Sequence, residues 1–188
     1  KRNKYSFFIL GCLSLLLLYS CKPAKDESRI IVAGAGKITS VDPAQANTFH
    51  ALQLLRALGD PLYEFNNNGE LIPILASDKP YLNKDGLSLF IPLRENVYFH
   101  DGTKFNAEAM AFSLNRFMRI GTMKYILNNR IKSIKARKSF LLEITLNRPS
   151  SSIKGLLTSI NITPISPKSY ADYKNKFRNK TFIGTGPY

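Results

Sequence analysis

Apolar side chains along this chain keep two different rhythms. Leu87, Leu89, Ile91 and Leu93 fall on every second position, and so do Phe140, Leu142, Ile144 and Leu146. Side chains two apart on a strand share a face, so residues 87–94 and 139–147 predict half-buried strands. Pro92 lies on the opposite face of the first and has no N–H to donate, which predicts an edge or a bulge there. Between these stretches the spacing becomes helical. Met110, Leu114, Phe117 and Met118 stripe one side of residues 107–119, Asn106 is placed to cap them, and Asn115, Arg116 and Arg119 are read as the polar side. Phe49, Leu52, Leu55 and Leu58 repeat that spacing over residues 47–58, with Gly59 as the stop.

Shorter signals fill the gaps. Residues 29–33 are a β-branched run and predict a buried strand. Residues 62–65 and 69–74 flank Asn66-Asn67-Asn68-Gly69, and because Asn-Gly tolerates positive φ the pair predicts a hairpin. Residues 150–159 read as a short helix, and 163–167 as an extended segment leading into a helix over 168–177. There is no internal repeat. The pattern predicts a mixed α+β fold with antiparallel or mixed strands, about one domain in size.

The N-terminus follows another rule. Lys1-Arg2-Asn3-Lys4 is cationic, residues 5–19 are apolar and leucine-rich, and Leu18-Tyr19-Ser20 precedes Cys21. A basic stretch followed by a short apolar run is the form of a secretory signal, shorter than a membrane span needs. The cysteine at the small-residue junction resembles the lipobox of bacterial lipoproteins, in which the thiol is acylated. Tyr19 departs from that pattern, where a smaller residue is usual. An uncleaved N-terminal anchor is the other reading. Both place the residues after Cys21 outside the cytoplasm and tethered to a membrane, with 1–20 as leader, 21–28 as tether and 29–188 as the folded part.

Charge changes this picture little. The chain carries 27 basic and 13 acidic residues, a formal +14. Its cations are scattered, without a nucleic-acid motif, and an exported chain does not meet DNA. Cys12 belongs to the leader and Cys21 to the lipid, which leaves no thiol for a disulfide, a nucleophile or a metal. His50 and His100 have no ligand at metal spacing, so neither a metal nor a cofactor is expected. Gly34-Ala35-Gly36-Lys37 fails as a phosphate loop: Ile31 stands where the first glycine belongs and Ile38 follows the lysine. The dinucleotide pattern fails at Thr39. No paired carboxylates, Gly-x-Ser-x-Gly elbow or partnered histidine supports catalysis, and the chain is read as a non-enzyme.

Several stretches then align, in order, with one family. They are Val41-Asp42-Pro43, Pro61-Leu62-Tyr63-Glu64, residues 71–76, Asp85-Gly86-Leu87, residues 93–103, Asn106-Ala107-Glu108, Ser113-Leu114-Asn115-Arg116 and Gly184-Thr185-Gly186-Pro187-Tyr188. On these the chain resembles the N-terminal part of a family 5 extracellular solute-binding protein, the oligopeptide, dipeptide and nickel class of ABC-importer receptors. The resemblance implies a two-lobed clamshell closing on a small solute, of which this chain is an incomplete first lobe, a fragment of a protein around three times as long. It implies a monomer on the periplasmic side of the membrane, docking on a permease. A membrane-tethered lipoprotein that keeps the scaffold without a ligand is the alternative.

The motif residues have structural readings of their own. Asp101-Gly102 reads as a tight turn, His100 as a turn or packing residue, Gly184-Thr185-Gly186-Pro187 as a constrained corner, and Asp42 as a brace for the turn before Pro43. By the resemblance, Asn47, Thr48, Phe49 and His50 line the cleft, and Tyr125 reaches it from a loop. The competing reading makes Phe49 the first core residue of its helix and Asn47 the cap.

Overall fold

The computed structural model describes residues 31, 33–170 and 182–188. The chain divides into two compact units, 1–34 and 35–188. Of the first, Ile31, Ala33 and Gly34 are described; neither Ile31 nor Ala33 is in a strand, and the rest of the strand expected over 29–33 lies outside the described residues. The leader, Cys21 and the tether lie outside them too.

In the second unit, α1 (Phe49–Leu58) leads to a hairpin of β1 (Tyr63–Phe65) and β2 (Leu71–Pro73). Its turn is the expected Asn66–Gly69, closed by the Asn66 side chain, which accepts from the N–H groups of Asn68 and Glu70. Next come β3 (Tyr81–Leu82), β4 (Ser88–Pro92), α2 (Ala107–Ile120) and α3 (Tyr125–Asn128). Then follow β5 (Ile131–Lys138), β6 (Leu141–Leu146), α4 (Ile153–Leu156), a 3-10 turn (Ile160–Ile162) and α5 (Pro167–Tyr170). The helix expected over 150–159 is thus a single turn followed by a 3-10 turn. That expected over 168–177 is described only as far as Tyr170.

Strands β3, β4, β6 and β5 form one antiparallel sheet in that order, separate from the β1–β2 hairpin. Leu89 and Ile91 of β4 and Leu142, Ile144 and Leu146 of β6 are buried in one core with Met110, Leu114 and Phe117 of α2, which packs on β5 and β6. Burying such side chains is worth on the order of 1.5–3 kcal/mol each. Asn106 caps α2 as expected, its side chain accepting from Ala109 N–H at 2.9 Å.

Pro92 sits in an interior strand without breaking it. Leu93 N–H points to the β6 side, where it donates to Phe140 O just before that strand, so Pro92 faces the other way, past the end of two-residue β3. On that side only its carbonyl is used, by Ser77 N–H at 3.0 Å. Strand β5 has no simple rhythm because it bulges between Ile131 and Ser133. Two residues then oppose one, and Ile131 and Ile134, three apart, are buried together.

A second cluster joins Ala51 and Leu55 of α1 to Ile160, Ile165, Tyr170 and Phe182. Here the corner at Gly184-Thr185-Gly186 crosses the end of α1. Gly186 N–H donates to Leu58 O, and a Cβ on Gly186 would lie 2.4 Å from the Leu58 carbonyl carbon, so only glycine fits. His100 clasps the same corner. Gly184 N–H donates to Nδ1 at 3.3 Å, which leaves the ring proton on Nε2 to donate to Gly186 O at 2.8 Å. That is the packing role expected of it.

Candidate functional site

The turn at Asp42-Pro43-Ala44-Gln45-Ala46 is tied by hydrogen bonds to several distant segments of the unit. Asp42 is 1% exposed and Arg116 of α2 is 4% exposed. The guanidinium grips both carboxylate oxygens, Nη1 to Oδ1 at 2.8 Å and Nη2 to Oδ2 at 2.6 Å. Oδ1 also accepts from Ala44 N–H, and Asp42 O accepts from the N–H groups of Gln45 and Ala46. Asp42 therefore braces its turn as expected, whereas Arg116 departs from its expected place on the polar side of the helix. It occupies a second buried face with Ala109 and Ser113, small residues four and three positions apart that let neighbouring chain approach closely. Ser113 Oγ accepts from Ile165 N–H at 3.0 Å on that face. Arg116 also lies over the ring of Tyr170, 5.7 Å from its centroid. Burial pushes the Tyr170 phenol up to about 12, and its oxygen accepts from Ile183 N–H.

Four further hydrogen bonds hold the turn. Asn161 Nδ2 donates to Pro43 O and Ala46 O, Thr122 N–H donates to Ala44 O at 2.9 Å, and Gln45 Nε2 donates to Ile120 O. The turn is thus fixed to α2, to the 3-10 turn and to the loop between α2 and α3.

Directly after it come the four residues read as cleft-lining. The helix cap is Thr48, whose hydroxyl accepts from Ala51 N–H, and exposed Asn47 lies one residue before it; the capping role read for Asn47 is corrected accordingly. Phe49 is 69% exposed, which removes the reading of it as a core residue. The apolar face of α1 instead begins at Ala51, because helix start and face are both set two residues later. His50 meets the Phe49 ring edge-on at 5.8 Å and lies against Gly36, where a Cβ would come within 1.9 Å of the imidazole. Thr48 Oγ1 donates to Lys37 O at 3.5 Å. Thr48–His50 and Gly36–Lys37 therefore form one small cluster of hydroxyl, aromatic and imidazole groups, in which Phe49 is exposed and Thr48 and His50 are half-buried.

Tyr125 opens α3 and is 62% exposed; the residue expected in a loop starts a helical turn. Among the described residues no hydrogen bond or ring contact joins it to Asn47–His50. Its loop is nevertheless pinned to the same turn through Thr122. A separate open groove of about 470 Å³ is lined by Asp60, Ile74, Leu75, Arg94, Asn96, Val97, Tyr98 and Thr185, and includes none of the five. Among the described residues no group of three or more His, Cys, Asp or Glu side chains could hold a metal. No described helix is long and apolar enough to cross a membrane.

The family model for bacterial extracellular solute-binding proteins, family 5 (middle), matches residues 70–188. The chain belongs to that family. A family 5 relative, the glutathione-binding protein GsiB of Pectobacterium atrosepticum, is 30% identical over 167 residues, which is 88% of this chain and 32% of the relative. NikZ of Campylobacter jejuni, solved in complex with Ni(L-His), is 28% identical with a TM-score of 0.69 over 81% of this chain and 31% of its own. DppA of Helicobacter pylori, solved with the peptide STSA, is 28% identical with a TM-score of 0.67 over 80% and 34%. The chain spans about a third of the length of the relatives it matches. Its mixed α+β architecture is accordingly part of a family 5 solute-binding fold, and the expected family and fold class both stand.

Proposed function

We propose that this chain is the solute-meeting first-lobe region of an ABC-importer receptor, working outside the cytoplasmic membrane and delivering a small peptide or similar polar solute to a permease. The relatives' names support the solute class: glutathione, Ni(L-His) and a tetrapeptide all carry carboxylate and amide or amine groups. In this reading Thr48, Phe49 and His50 supply hydrogen bonds and an aromatic face, Asn47 and Tyr125 stand at the margin, and Cys21 carries the lipid that holds the monomeric receptor at the membrane. The leader is 1–20, the tether 21–28 and the partial lobe 29–188. The observation that carries the reading is the Thr48–His50 cluster with its exposed Phe49 ring, following a turn held by many hydrogen bonds in a chain of this family. Binding is then a property of the whole protein, in which hinge closure completes the site.

The test is thermal stabilisation of the full-length protein by a tripeptide and dipeptide library, glutathione and nickel–histidine. A ligand at 100 times its Kd adds about 2.7 kcal/mol, a shift of several degrees. Phe49→Ala and His50→Ala should each weaken that shift. No stabilisation by any member would overturn the proposal and favour a scaffold lipoprotein.

A further inference from the structure

We propose that the buried Asp42–Arg116 pair is a positioning unit that sets the two candidate solute-facing segments relative to one another; the inference rests on the reading that those segments face the solute. Both hang from one turn. Asn47 follows Ala46, whose carbonyl is held by Asn161, and Tyr125 lies three residues beyond Thr122, whose N–H is held by Ala44 O. Within that turn Pro43, Ala44 and Ala46 are small, so packing alone defines its orientation poorly. The guanidinium fork does what packing cannot: two parallel contacts fix rotation as well as distance.

Economy of stability points the same way. Apolar residues of similar volume often replace a buried ion pair at no loss, so the pair is not the simplest way to fill this space. What apolar replacements would not reproduce is the Ala44 N–H bond to Oδ1, and with it the direction of the Ala44 carbonyl toward Thr122. The chain of contacts runs from Arg116 to Asp42, to Ala44, to Thr122, and ends at the segment carrying Tyr125. Looseness of about 1 Å at such a support is enough to spoil a binding site.

The experiment uses the full-length protein and the double variant Asp42→Leu with Arg116→Met, which fills the space without the fork; Arg116→Lys, which keeps the charge and loses the second contact, serves if the double variant does not fold. Three readouts are taken: amide exchange at Thr122, the 19F resonance of 3-fluorotyrosine at Tyr125 (assigned with Tyr125→Phe), and affinity for glutathione and a random tripeptide pool. A positioning role predicts a variant that melts near the parent, with Thr122 exchange at least about tenfold faster, a displaced or broadened 19F line and affinity lowered about tenfold or more. Unchanged exchange and an unchanged 19F line in a well-folded variant overturn it. If wild-type protein binds neither probe, or binds them undiminished by Phe49→Ala and His50→Ala, the solute-site reading fails, while exchange and 19F still decide whether the pair sets the two segments.

Discussion

Asp42 and Asp101 each open a turn, at Asp42-Pro43 and Asp101-Gly102, and each fixes it to a helix distant in sequence. Asp42 reaches Arg116, 74 residues on; Asp101 reaches Ser166 and Ser169, 65 and 68 residues on. The difference is what answers the negative charge. At Asp42 it is chiefly one guanidinium, with the Ala44 N–H beside it, in a dry interior. At Asp101 it is a set of neutral donors in a half-buried place: Ser166 Oγ at 2.5 Å, Ser169 Oγ at 2.8 Å, Thr103 N–H at 3.0 Å and the Thr103 hydroxyl. A charge answered by a charge is all or nothing. A charge answered by several dipoles gives way in steps.

The largest effect should come from breaking the first arrangement on one side. Arg116→Met leaves the Asp42 carboxylate buried and unanswered, which costs about 3–5 kcal/mol in denaturant unfolding of the full-length protein. Adding Asp42→Leu should recover much of that loss. A single variant costing under about 1 kcal/mol would show that water reaches Asp42 and that the two aspartates are less different than their burial implies.

How much of this was readable beforehand depends on which physical signal each residue carries. Helix α2, β4, β6 and the Asn-Gly hairpin announce themselves by period and turn chemistry, so each appears where the residues say. Strand β5 was missed because a bulge converts its period from two to three and most of its remaining positions are lysine or arginine, the residues of a solvated edge. Arg116 was misplaced because a charged side chain on a helix reads as polar surface unless its partner is known, and Asp42 is 74 residues away. The small residues Ala109 and Ser113 on its face were the one local hint. At the candidate site, sequence supplied the segment 47–50 through a resemblance. The exposure of Phe49 and the tie between Ala44 and Thr122 are tertiary facts that no local pattern encodes.

A middle-sized effect is expected at Asp101, and it has a pH signature. Partial burial pushes this carboxyl up, but the hydroxyls of Ser166, Thr103 and Ser169 and the Thr103 N–H outweigh it and hold the carboxyl at about 2. Its folded value is therefore below the unfolded value of 3.8, and the unfolded chain binds more protons between them. The contribution is complete above about pH 4–5 and drains away as pH falls toward 2. Asp101→Asn keeps one acceptor and loses the charge, which should cost about 1–2 kcal/mol at pH 7. The variant and the parent should converge on acidification, as followed by melting at pH 7, 4 and 2.5. Parallel curves would mean that the donors do not act on the ionised form.

The smallest effect sharpens the comparison from outside. Arg56 and Glu64 make the same kind of ion pair as Arg116 and Asp42, but at 3.4 Å, through one contact, with side chains 62% and 45% exposed. Water already answers both charges, and holding two long side chains together costs rotamer freedom. Arg56→Ala should therefore change stability by no more than about 0.5 kcal/mol, and added salt should not alter that difference measurably. Measured beside Arg116→Met under the same conditions, it isolates burial as the variable. If Arg56→Ala costs as much as Arg116→Met, the strength of the Asp42 anchor cannot come from its dry surroundings, and the buried fork has no greater hold on its turn than an exposed pair would.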